Sequence, residues 1–175
     1  MNPLTRFKKT RILSLVIAPA LIALAVSLTS QALGQSRTPM MLNGIIDDFS
    51  PVLDANGPWQ VSGHWSLMLI GNSGRGNFSV AINMVRAEDP DNRSPHTHHV
   101  TLSSGEVTPL PNGLQISGNA MITVNGNLAG FSGSPVTVQI TGGSAVPFSN
   151  ISLTFGGAAV GHFGDQPFHG VVTQR

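Results

Sequence analysis

Cysteine and tyrosine are absent from the 175 residues. Without cysteine there is no disulfide framework and no thiol nucleophile, so a stable fold must rest on a buried core. Without tyrosine no phenol can serve as acid, base or stacking platform. Lysine occurs only as Lys8 and Lys9, and beyond residue 34 the basic side chains are Arg37, Arg75, Arg86, Arg93 and Arg175. Those five arginines stand against eight carboxylates, which leaves −3 with histidine neutral; the formal +1 of the whole chain comes from its first residues. Nucleic acid and anionic membranes both require clustered Lys and Arg, and neither is expected as a partner.

The first 34 residues have a different character. Arg6, Lys8, Lys9 and Arg11 precede an apolar run from Ile12 to Leu28, and the small residues Ala32 and Gly34 follow. This order predicts a signal-peptide helix cleaved after Gly34. Ser14, Pro19 and Ser27 interrupt the run, which falls short of the ~20 apolar residues a spanning helix needs. The expected product is an exported protein, periplasmic or extracellular, with no membrane attachment after cleavage. Residues 35–175 are long enough for one domain with a core of its own.

Long helical stripes are also missing after residue 34, and alternation at period two takes their place. Phe78, Val80, Ile82 and Met84 share one face of "FSVAINMVR"; Leu114, Ile116, Gly118, Ala120, Ile122 and Val124 share one face of the next long segment. Val136, Val138 and Ile140 repeat the pattern, as do Ile151, Leu153 and Phe155. Further strands are expected at 59–70, 98–103 and 168–173. Asn-Gly pairs at 43–44, 56–57, 112–113 and 125–126 match the residue preference of tight hairpin turns. "GNSGRGN" (71–77) should join two strands as an antiparallel hairpin. The expected fold is all-β: a single antiparallel domain of about eight strands, with a two-sheet sandwich slightly preferred to a closed barrel.

Against this background "RSPHTHHV" draws attention, because His96, His98 and His99 fall within four positions where a polar loop becomes a strand. On a strand, His96 and His98 point the same way with Cα atoms ~6.7 Å apart, while His99 faces the other side. Two imidazoles so placed can converge on one ion, and further donors are available from His162, Asp165 and His169 in "GHFGDQPFHG". Zn or Cu is the cofactor this donor set would take. The plainer alternative is that these histidines decorate a strand entrance. All six histidines lie beyond residue 34, so full protonation in mild acid would move the net charge from −3 to +3.

The stretch His162-Phe163-Gly164-Asp165 resembles a fragment of the copper-zinc superoxide dismutase motif. That family's paired histidines before the fragment and its cysteines are missing here, so no role is carried over.

Other chemistry lacks its signature. There is no G-x-S-x-G elbow around Ser73, Ser132 or Ser144, and the glycine-rich "GNSGRGN" lacks the Gly-Lys-Ser/Thr of a phosphate-binding loop. Asp47-Asp48 and Glu88-Asp89-Asp91 read as solvated turn residues, although Asp89 and Asp91 offer oxygens to calcium. Trp59 and Trp65 suit either a ligand-stacking surface or the core. Three functional readings follow. The first is a non-enzymatic module that binds a small molecule, a surface or a protein, or has a structural role. The second is a metal-binding protein, an enzyme or not, built on the histidines. The third is a small barrel carrying an apolar ligand.

Overall fold

The computed structural model describes residues 39–50, 58–88, 94–142 and 148–174. The signal segment, the Asn56-Gly57 turn and the acids Asp89 and Asp91 lie outside the described residues. The strands are β1 (Met40–Ser50), β2 (Trp59–Leu69), β3 (Arg75–Arg86), β4 (His96–Leu110), β5 (Gly113–Asn119), β6 (Met121–Val124), β7 (Asn127–Leu128), β8 (Pro135–Thr141), β9 (Asn150–Phe155) and β10 (Phe168–Gln174). A 3-10 turn at Gly157–Ala159 runs into the short helix α1 (Val160–Phe163) between β9 and β10.

Every pairing is antiparallel, and the order β3-β2-β1-β10-β9-β8-β5-β4 returns to β3 through a β3–β4 ladder. Eight strands therefore close into a barrel, which corrects the preference for a sandwich. Closure removes the unpaired edges that two open sheets would leave. The β6–β7 hairpin hangs on the first half of β4, where Ile122 pairs with Val100, while the second half of β4 pairs with β5. Asn125 and Gly126, with φ of 47° and 83°, make its tight turn as the Asn-Gly preference requires.

The alternation places one largely apolar row of each of the eight ring strands inside the barrel. Leu67, Ile82, Ile116, Val138, Ile140 and Leu153 are each 0% exposed, and Trp59 and Trp65 are both in the core at 3%. Each such aliphatic side chain contributes roughly 1.5–3 kcal/mol of burial. With the inward side chains this completely covered, they fill the interior.

Unlike Asn125-Gly126, the Asn43-Gly44 pair makes no turn. It lies inside β1, where the pairing with β10 slips between Asn43 and Gly44. A Cβ at Gly44 would meet the Val171 carbonyl oxygen at 1.9 Å and the Trp65 ring at 2.6 Å. Glycine is needed here for close approach, not for a turn.

Candidate metal centre

β1, β3, β5 and β9 finish at one end of the barrel, and β2, β4, β8 and β10 begin there. The chain between β9 and β10 packs over that end through the 3-10 turn and α1. Ser50 Oγ at the end of β1 donates to the Phe163 carbonyl at 3.0 Å, and the Ala159 N–H bonds Ser134 Oγ at 3.2 Å. Phe163 is 0% exposed and stacks on Phe155 with centroids 3.9 Å apart. This apolar anchoring fixes the neighbouring His162 over the mouth. No helix was expected here from the sequence, since four residues are too few to show a helical period.

In β4 the inward row begins His96, His98, Val100, Leu102, with His98 opposite Ile82 and Val124. His98 is 0% exposed, whereas His96 and His162 are half-buried. His162 Nε2 lies 2.8 Å from His98 Nε2 and 3.3 Å from His96 Nε2. The donor atoms of the three rings all fall within 4.8 Å of one another.

Tautomers follow from the partners. His96 Nδ1 donates to the Ser94 carbonyl at 2.9 Å, because a carbonyl can only accept. The lone pair of the neutral His96 ring is therefore on Nε2, aimed at the cluster. Ser94 holds its carbonyl in this place with a left-handed φ of 40° just before Pro95, a conformation costing about 1–3 kcal/mol in a residue with a Cβ. His98 Nδ1 is buried without a partner, and the Thr123 backbone, which favours the charged ring, completes no hydrogen bond to it. Burial foremost, then the like charges of His162 and His96, push the His98 pKa down to about 3. The ring is neutral at any ordinary pH, the form in which imidazole ligates metal.

Aromatic groups wall the inner side. Phe131 stacks on His162 at 5.2 Å, Phe163 meets His98 edge-on at 4.8 Å, and Trp59 meets His96 edge-on at 4.9 Å. Arg86 lies over the Trp59 ring at 5.8 Å. A tetrahedral ion with bonds of ~2.0–2.1 Å sets its nitrogens ~3.3–3.4 Å apart. The 3.3 Å contact already meets that spacing, and the 2.8 Å contact must open by about half an ångström. The third pair, within 4.8 Å, must close toward the same spacing, and with that adjustment the three imidazoles fit a Zn or Cu ion.

Of the residues singled out in the sequence, His96, His98 and His162 come together. The other three stand apart. His99 is exposed on the outer face of β4, as alternation requires. Asp165 is exposed, and its Oδ1 accepts from Gln166 Nε2 at 3.3 Å. His169 points outward from β10, where Asp48 Oδ2 accepts from both its backbone N–H at 2.7 Å and its Nδ1 at 2.9 Å. Burial of Asp48 alone would raise its pKa, but the N–H groups of Phe49 and His169 and the His169 ring together lower it. That pair pins the start of β10 to β1 and takes no part in the cluster. Sequence reasoning missed the Ser94 carbonyl and the Phe131 wall; only Pro95 beside the histidines hinted at the bent backbone.

Comparison of the chain with protein-family models, with curated proteins and with solved structures found no match.

Proposed function

We propose that this chain is an exported β-barrel protein that binds one transition-metal ion, Zn²⁺ or Cu²⁺, on His96, His98 and His162. The observation that carries the reading is the convergence of three ring nitrogens within 4.8 Å from two segments distant in sequence. An ion bound there supplies a Lewis acid with a position left for a further ligand. The chain's own residues prepare for it. The Ser94 carbonyl fixes the His96 tautomer, in the way that metal-binding imidazoles are commonly oriented by the bond their other nitrogen makes. Phe131 and Phe163 keep water from the inner side and hold His98 neutral. Export rests on the basic, apolar and small-residue order of residues 1–34.

An apolar ligand inside the barrel is the less favoured reading, because inward side chains such as Ile82 and Val138, at 0% exposure, occupy that space. Equilibrium dialysis of the purified protein against Zn²⁺ and against Cu²⁺, followed by metal analysis, tests the proposal. One ion per chain should be retained, His162→Ala should lose it, and His99→Ala should keep it. Retention of neither ion, or equal retention in both variants, would remove the metal reading.

A further inference from the structure

Thr97, the residue between the two donors of β4, is held from both neighbouring strands. In an antiparallel ladder a hydrogen-bonded pair exchanges both backbone N–H···O bonds. The β4–β6 ladder ends at the pair His98–Val124, and the next pair along would be Thr97 with Asn125. Asn125 does donate its backbone N–H to the Thr97 carbonyl, at 2.8 Å. Its backbone, however, has a left-handed φ of 47° and turns into the hairpin. The Thr97 N–H is taken instead by the Asn125 side chain, through Oδ1 at 3.0 Å. Asparagine suits this place twice, since it tolerates the left-handed conformation and carries a short side-chain acceptor. On the β3 side, Thr97 Oγ1 donates to Asn83 Oδ1 at 2.8 Å.

We infer that Asn125 is a positioning residue of the three-histidine centre, fixing His96 relative to His98 through its grip on Thr97. This rests on the metal reading above and deepens it, from which rings bind the ion to what sets how tightly they bind. His98 is paired with Ile82 on one side and Val124 on the other. His96 is the first residue of β4; it pairs with Met84 of β3 and lies beyond the end of the β6 ladder. Just before it stand Pro95 and the left-handed Ser94. The bond to Asn125 Oδ1 extends the hold on β4 by one residue, to the His96–Thr97 peptide. The 3.3 Å spacing of the His96 and His162 nitrogens, already that of a tetrahedral ion, depends on this hold. The β6–β7 hairpin, outside the ring of eight strands, thereby gains a part in the site.

Asn125→Gly keeps a residue that accepts the left-handed turn but removes the acceptor, whereas Asn125→Asp keeps both. Asn77→Ala is the control. Asn77 Oδ1 accepts the Ser104 N–H at 2.8 Å, the same kind of bond in the second half of β4. Zn²⁺ dissociation constants of wild type and variants would be measured by chelator competition. Co²⁺ absorption bands would report the geometry of the donors, and melting temperatures the stability of the metal-free proteins. Asn125→Gly should weaken Zn²⁺ binding about 10–100-fold, as loss of a group that orients metal ligands does, and alter the Co²⁺ bands. Asn125→Asp should stay within severalfold of wild type. Asn77→Ala should lower the melting temperature and leave affinity and bands unchanged. Wild-type affinity in Asn125→Gly, or an equal loss in Asn125→Asp or in Asn77→Ala, would overturn the inference while leaving the metal reading intact. A wild-type protein that binds neither Zn²⁺ nor Co²⁺ would remove the metal reading and this inference with it.

Discussion

His98 Nε2 lies 2.8 Å from His162 Nε2, although 64 residues separate the two in the chain. β4 brings one ring to the barrel mouth from inside, and α1 brings the other from above. Barrel closure by β1 and β10 is what allows this meeting, since β10 must return beside β1 for α1 to cover that end. Site and fold therefore share one dependence: whatever opens the barrel also separates the ligands.

The metal reading predicts a stability gain. An ion that binds only the folded state should stabilise it by ~2.7 kcal/mol at about a hundredfold excess over its dissociation constant. Thermal unfolding with and without Zn²⁺ measures this. His96→Ala should abolish the gain, and His99→Ala, on the outer face, should preserve it. An equal gain in both variants would place the ion elsewhere.

Inward and outward rows of β3 should respond differently to truncation. Ile82 is 0% exposed, so Ile82→Ala removes buried methyl groups and leaves a cavity, at a cost of about 2–5 kcal/mol. Ser79 faces outward and shares one hydroxyl contact with Ser66 at 2.9 Å. Ser79→Ala should cost well under about 1 kcal/mol, as exposed hydrogen bonds do. Urea unfolding of the two variants checks the assignment, and similar losses would contradict the inward-outward register of β3.

These rows were legible in the sequence because period two needs no knowledge of what a strand pairs with. Phe78 to Met84, Val136 to Ile140 and Ile151 to Phe155 all bury the face that alternation marks. The histidine pair was legible for the same reason: His96 and His98 share parity, and His99 does not. Three things were not. β1 was hidden because Asn43-Gly44 carries a turn signature, while the true constraint is the close approach of Trp65 and Val171 from other strands. Barrel and sandwich present the same alternation, and only the β1–β10 ladder, joining the two ends of the described chain, distinguishes them. His162 could be named as a candidate, but choosing it over Asp165 and His169 required α1 and its anchor Phe163.

Two glycines should separate close approach from local propensity. At Gly44 an added methyl would sit 1.9 Å from the Val171 oxygen and 2.6 Å from the Trp65 ring, with strand backbone on one side unable to yield. Gly44→Ala should destabilise by about 1–3 kcal/mol or more, the cost of overpacking. Gly161, inside α1, has nothing within 4 Å of an added Cβ and no left-handed φ. Gly161→Ala should stabilise by about 0.4–1 kcal/mol through a less flexible unfolded chain and better helix propensity. Melting temperatures that move in the same direction for both would show that space around Gly44 is not what selects glycine.

The neutral state of His98 predicts how the metal-free protein responds to acid. Burial, with His162 and His96 beside it, lowers its pKa from 6.5 to about 3 in the folded chain. In the unfolded chain the ring is in water and takes up a proton near 6.5. Between those two values the unfolded state holds a proton that the folded state refuses. Stability from this ring is thus fully present above 6.5 and lost progressively as pH falls toward about 3. The slope for one proton is at most ~1.4 kcal/mol per pH unit. Urea unfolding of chelator-treated protein at a series of pH values through this window measures that loss. His98→Leu, which keeps an apolar side chain of similar reach inside the barrel, should show a slope reduced by that one-proton contribution. A wild-type slope no steeper than that of the leucine variant would mean that His98 is not held neutral by its burial at the barrel mouth.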